Sequence, residues 1–166
     1  KDDSVKTLNP TKLKSMIADL FAKAGCGDEE ATEIADHLVE ANLAGHDSHG
    51  VIRAPIYLQW MSQEKVFAGK SIEVVVDAGA LAVADAGLGY GQWTGRQAVE
   101  LGVRKCQEHG VAIVALRNAA HLGRIGTWAE IAAASGLVSL HFVNTTGLGM
   151  FVVPSGGRDA RLSVNP

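Results

Sequence analysis

The sequence predicts an α/β (α+β) chain, helical over residues 1–68 and mixed strand and helix over residues 69–166. Three observations lead there. Apolar residues in the first third recur at the period of a helix with one buried face. After Gly69 the pattern changes to short apolar runs of strand length. From there strands and helices alternate, the order of a layered architecture.

Taken in order, Asn9-Pro10 predicts an N-cap followed by Pro at the first helical position, and Leu13, Ile17, Leu20 and Phe21 form the apolar stripe. Gly25 and Gly27 end this helix. Asp28 is expected to cap a second helix, with Glu29 and Glu30 in the first turn, where the helix dipole favours negative charge. Its apolar positions are Ala31, Ile34, Leu38 and Leu43, and Gly45 stops it. A third helix is expected from Asp47 or Ser48 through Ile52, Ile56 and Trp60 towards Lys65. Pro55 lies inside it and predicts a kink or break near Arg53 and Ala54.

Residues 71–77 and 80–85 read as strands joined at Ala78 and Gly79. Residues 87–107 read as a glycine-rich turn leading into a helix marked by Ala98, Leu101 and Val103, with Gly110 as its stop. Residues 111–116 are a continuous apolar run, as in a buried strand. An alanine-rich helix follows at 124–134, a strand at 137–143 and a last strand-like segment at 161–164. The start without Met, and the stop at Asn165-Pro166 directly after an extended segment, read as those of a fragment.

Composition narrows the function. The 166 residues are 47% hydrophobic and 20% charged, a globular balance. The formal charge of −3 leaves no electrostatic footprint for nucleic acid. Cys26 and Cys106 form neither a disulfide framework nor a CxxC pair, which fits a reducing cytoplasm. No apolar run reaches the ~18 residues of a membrane span, and the polar start is no signal peptide.

The densest polar cluster is His46-Asp47-Ser48-His49-Gly50, with Arg53 shortly after. On a continuous helix His49 and Arg53 lie on one face. A proton-transfer group would then stand beside a bidentate carboxylate anchor, as reduction of a 2-oxo acid requires. Ser48 can hydrogen-bond near His49 and fix a proton path. Equally, Asp47 or Ser48 can be a plain helix cap with both histidines in water. A metal site from His46, His49 and a remote ligand is a further reading, without a cysteine or carboxylate cluster to support it.

Gly87 to Gly95 invites a dinucleotide fingerprint, but from Gly89 the spacing is GxGxxxG, one residue too long. The strand that follows ends in Arg117-Asn118, where an acidic residue would hold a ribose. A structural glycine turn is the preferred reading. His121, Leu122, Gly123, Arg124 and Ile125 open a helix, where N–H groups, the dipole and Arg124 could receive an anion such as a phosphate. An ordinary loop-to-helix turn fits equally well. Residues 144–149 could line a pocket or form a plain loop. His37 and His109 are assigned to solvent or a cap, and His141 to a satisfied position inside a strand.

The run from Ala41 to Arg53, with its Ser-His-Gly-x-x-Arg pattern, resembles the signature of the malate/L-lactate dehydrogenase family of type 2. That family includes ureidoglycolate, sulfolactate and malate dehydrogenases and piperideine-2-carboxylate reductase. The resemblance extends over residues 87–95, the His121 stretch and residues 154–166. It implies a nicotinamide-dependent oxidoreductase for a small 2-oxo or 2-hydroxy acid, with NAD or NADP as cofactor. It implies His49 as proton donor or base, Ser48 as its relay neighbour and Arg53 as the holder of the substrate carboxylate. His121, Leu122, Gly123, Arg124 and Ile125 would contact the cofactor. The fold implied is a non-Rossmann mixed sheet, incomplete in this chain, and the assembly a homodimer. Ser163-Val164-Asn165-Pro166 departs from the family's Gly-Thr-Asn-Pro and puts substrate identity in doubt. A non-catalytic small-molecule-binding domain, and a metal-dependent hydrolase using His46, His49 and His121, are the competing readings.

Overall fold

The first helix, α1, runs Pro10–Lys23 in a computed structural model that describes residues 7–144 and 152–161. The Asn9 side chain accepts the Lys12 N–H at 3.0 Å, the cap expected of Asn before Pro. Gly25 adopts φ +106° and turns the chain, while Gly27 belongs to the next element as the N-cap of α2 (Asp28–Leu43). Asp28 is therefore inside the first turn and makes no cap hydrogen bond. Ala31, Ile34 and Leu38 are buried as expected. Leu43 is 59% exposed, because five residues after Leu38 it lies off the buried stripe of the helix.

The expected long third helix is absent. Two 3₁₀ turns, Asp47–His49 and Val51–Arg53, precede a shorter α3 (Ala54–Ser62) with Pro55 in its first turn. Gly50, extended between them at ψ −157°, breaks the spiral. It is buried against α2, where any Cβ would collide with the Asn42 side chain. Asn42 in turn accepts the Val51 N–H at 2.8 Å and donates to Asp47 Oδ1 at 2.6 Å.

Strands β1 (Glu73–Ala78) and β2 (Leu81–Asp85) form an antiparallel hairpin. Helix α4 (Gly91–His109) crosses over to β3 (Ile113–Arg117), which pairs parallel to β2, so the sheet is mixed in the order β1-β2-β3. Gly110 closes α4 at φ +78°. Lys105 on α4 donates to Asp77 Oδ1 at 2.5 Å and to the Gly79 carbonyl at 2.8 Å, fastening the helix to the hairpin. Contrary to expectation, β3 is not buried: Ile113 is 62% exposed, and Val111, two residues before the strand, 60%. Its apolar run serves a parallel pairing whose outer side is uncovered among the described residues.

Helix α5 spans Gly126–Ala134. Residues 137–143 form no strand, having no ladder partner among the described residues. His141, expected inside that strand, contacts Ser139 Oγ at 3.0 Å. Residues 145–149, and 162–164 of the last expected segment, lie outside the described residues. Among the described residues no helix is long and apolar enough to cross a membrane.

The core gathers Phe21, Ile34, Leu38, Tyr57 and Tyr90, so α1, α2, α3 and the turn that leads into α4 share it. Phe21 meets Tyr90 edge-on at 5.5 Å between ring centroids. At the base of α4, Gly91 lies so close to the His121 and Ala120 carbonyls that a Cβ would overlap them. The glycine turn is thus structural. Gly91→Ala in the full-length chain is expected to cost about 1–3 kcal/mol by forcing this contact apart. The check is a lower urea midpoint at unchanged m-value.

Candidate active site

The 3₁₀ turns bring His49 and Arg53 together by a route other than a helix face. Arg53 folds back and donates from Nε to the Ser48 carbonyl at 2.5 Å. That leaves the terminal amino groups of the guanidinium as the edge able to grip a carboxylate. Ser48 Oγ stands 2.9 Å from His49 Nδ1. The His49 ring stacks on His121, with centroids 5.3 Å apart and planes at 26°. Four residues expected to carry chemistry, Ser48, His49, Arg53 and His121, thus meet at one place.

His46 stays outside, exposed, with Nδ1 3.1 Å from the Ala44 carbonyl. Among the described residues no group of three His, Cys, Asp or Glu side chains could hold a metal ion. Asp47 is bound to Asn42. The His49 pKa is lowered from its ordinary 6.5, first by burial, then by the charges of Arg53 and His46.

His121 is set up differently. Its Nδ1 is approached by the Gly123 N–H at 3.2 Å and by the Tyr57 hydroxyl at 2.8 Å. A backbone N–H can only donate, so Nδ1 is the acceptor, the Tyr57 hydroxyl donates, and the neutral ring carries its proton on Nε2. Gln92, fully buried, donates from Nε2 to the Tyr57 oxygen at 3.0 Å and to the His121 carbonyl at 3.1 Å. Burial first, then Arg53, brings the His121 pKa down to about 4, so the ring offers a hydrogen bond at neutral pH and not a proton.

The turn holding Leu122, Gly123, Arg124 and Ile125 precedes α5. The Gly123 and Arg124 N–H groups are already taken, by His121 Nδ1 and by His37 Nε2. The anion reading of this turn therefore rests on side chains. Arg124 Nε and Thr127 Oγ1, at the start of α5, are buried with no protein partner. The Thr127 and Trp128 N–H groups of α5 bond to the Arg124 and Ile125 carbonyls, and Arg124 Nη2 is paired with Glu130 at 2.5 Å, so Arg124 Nε and the Thr127 hydroxyl are the donors left for the anionic part of a nicotinamide dinucleotide.

Three residues were not singled out by sequence reasoning. Tyr57 sits one helical turn after Arg53, and Gln92 in the first turn of α4. His37, assigned to solvent or a cap, is 2% exposed. The available signal was its register: Ile34, His37, Leu38 and Ala41 share one buried stripe of α2. Arg117 is the last residue of β3 and Asn118 follows it. Both bind Asp85 at 2.8 Å and join the ends of two strands.

Arg53→Lys in the full-length protein is expected to raise the KM for a carboxylate substrate tenfold or more, on the order of 1.4 kcal/mol. Lysine keeps the charge and loses the fork. Steady-state kinetics check it; an unchanged KM would remove Arg53 from that role.

The chain is 45% identical over 154 residues to hydroxycarboxylate dehydrogenase B of Escherichia coli (strain K12), covering 93% of this chain and 42% of that protein. It is 35% identical over 159 residues to the L-sulfolactate dehydrogenase of Methanocaldococcus jannaschii, covering 96% and 45%. A solved malate/lactate dehydrogenase-like structure from E. coli superposes with a TM-score of 0.92 at 42% identity, over 96% of this chain and 44% of that one. The chain thus spans about half the length of the curated relatives it matches. The family model described as malate/L-lactate dehydrogenase matches residues 8–166, and the chain belongs to that family.

Proposed function

We propose that the whole protein is an NAD- or NADP-dependent oxidoreductase that interconverts a small 2-hydroxy acid and its 2-oxo acid. The observation that carries this reading is the meeting of His49, Ser48 and Arg53 beside His121. The Arg53 fork holds the substrate carboxylate and so sets the adjacent carbonyl or hydroxyl carbon against the two rings. In the oxidation direction His49 accepts the hydroxyl proton, for which its lowered pKa is suited. In the reduction direction it returns that proton to the carbonyl oxygen. Ser48 holds the ring through Nδ1. His121, neutral, supplies a hydrogen bond from Nε2. The cofactor, when bound, takes or gives the hydride. Arg124 and Thr127 are the residues that would meet its anionic part, on the turn of His121, Leu122, Gly123 and Ile125.

The same reading includes a division at residues 68 and 69 between the helical segment with the Ser-His-Gly-x-x-Arg pattern and the cofactor domain. It also includes a cytoplasmic homodimer. The names of the relatives support the substrate class, since hydroxycarboxylate, sulfolactate and lactate dehydrogenases all concern 2-hydroxy acids. The test is to titrate the full-length protein with NADH and NADPH by fluorescence, then assay pyruvate, oxaloacetate, glyoxylate and a cyclic imino acid. Binding with turnover of at least one acid is expected. Binding without turnover would leave a small-molecule-binding domain, and no binding would end the dehydrogenase reading.

A further inference from the structure

We propose that His37 is the positioning residue that holds the turn from His121 to Ile125 in its cofactor-binding shape. The inference rests on the reading that this turn contacts the nicotinamide cofactor.

His37 reaches the turn from α2, far away in sequence. Its Nε2 accepts the Arg124 N–H at 2.8 Å. Acceptance there puts the ring proton on Nδ1 and fixes one neutral tautomer. Trp128, in the first turn of α5, covers the ring, with centroids 4.9 Å apart and planes at 34°. Gly123 adopts φ +70° and lies so near that a Cβ there would collide with His37 Nε2. The turn is thereby seated directly on the imidazole.

An irregular turn has no ladder to order it, so its buried N–H groups must find partners elsewhere. Here two successive N–H groups, of Gly123 and Arg124, both end on histidine nitrogens. The first bond is local. The second ties the far end of the turn to α2 of the helical segment, as the Tyr57 hydroxyl on His121 ties its near end to α3. A turn held in place before the ligand arrives saves the cost of ordering it on binding. Removing the acceptor while keeping the bulk would leave a buried N–H unpaired, and the turn would leave its seat to satisfy it.

The experiment compares full-length wild type with His37→Leu and His37→Gln. Leucine keeps bulk without an acceptor, and glutamine restores one. Two quantities are read: hydrogen exchange at the Arg124 amide, and affinity for whichever of NADH and NADPH the wild type binds. His37→Leu is expected to expose the amide and weaken the cofactor tenfold or more, with glutamine recovering most of both. A folded His37→Leu that binds within twofold of wild type overturns the inference. So does a folded His37→Gln as weak as His37→Leu, since bulk and not the acceptor would then matter. Should His37→Leu fail to fold, the ring nitrogen shifts of wild type decide. A protonated Nε2 overturns the inference, and a protonated Nδ1, with the amide still protected in His37→Gln, supports it. A wild type whose residues 121–125 show no cofactor-induced shift overturns the cofactor reading and this inference together. A normal wild-type shift with unchanged His37→Leu affinity overturns this inference alone.

Discussion

His49→Ala in the full-length protein is expected to lower kcat by roughly 10²–10⁴-fold, the usual worth of a positioned acid–base group, while cofactor affinity and fold stay close to wild type. The fold should survive because His49 sits on a short 3₁₀ turn and is only part-buried. His46→Ala should do much less, since His46 is exposed and its ring pairs with the Ala44 carbonyl. The pH profile gives an independent check. Neutral His49 is the base, and its pKa lies below the ordinary 6.5. Oxidation should therefore fall as pH drops through that lowered value and be flat above it. Reduction, which needs the imidazolium, should rise in the same window. Equal losses at His46 and His49, with a fall in bound zinc, would turn the assignment towards a metal site.

Residues 1–166 alone are expected to show no turnover with any of the four test substrates. Reduction at neutral pH needs a carboxylate against His49 to stabilise its imidazolium, and the structure commits the candidates elsewhere. Asp47 is bound to Asn42, Asp77 to Lys105, and Asp85 to Gly87, Arg117 and Asn118. Burial first, and then the Arg53 guanidinium, disfavour a proton on His49. The assay is NADH and NADPH oxidation by the purified 166 residues, with a polypeptide matching the C-terminal half of the relatives then added in trans. Activity only after addition is the expected result. Turnover by the 166 residues near that of the full-length protein would show that a local carboxylate, Asp47 first, swings onto the ring.

Much of the architecture was legible because it depends on local chemistry. Asn9-Pro10 starts α1 by a cap that needs only its own next residues. Gly45 and Gly110 end helices because their left-handed φ, +77° and +78°, is open to glycine. The strand-length runs before and after Gly79 became β1 and β2. Where the reading failed, a distant partner decided. The helix expected from Asp47 gave way to two 3₁₀ turns because Asn42 of α2 takes the Val51 N–H. The strand expected at residues 137–143 did not form although its alternation is present, with Val138, Leu140 and Phe142 each more than 80% exposed. A strand exists only with a ladder partner, and the described residues offer none there.

The site divides along the same line. By itself the sequence determined the chemical types: an imidazole beside a hydroxyl, a guanidinium shortly after, and a second histidine before a helix. Only the tertiary structure decided that Arg53 meets Ser48 through a backbone carbonyl, that His121 is a neutral donor under Tyr57, and that His37 is buried beneath Gly123. The physical reason is one of range. Residue type and spacing fix what a side chain can do and how its own turn folds. Its protonation state and aim depend on burial and on hydrogen-bond partners brought from 64 and 87 positions away, and those exist only once the chain has packed.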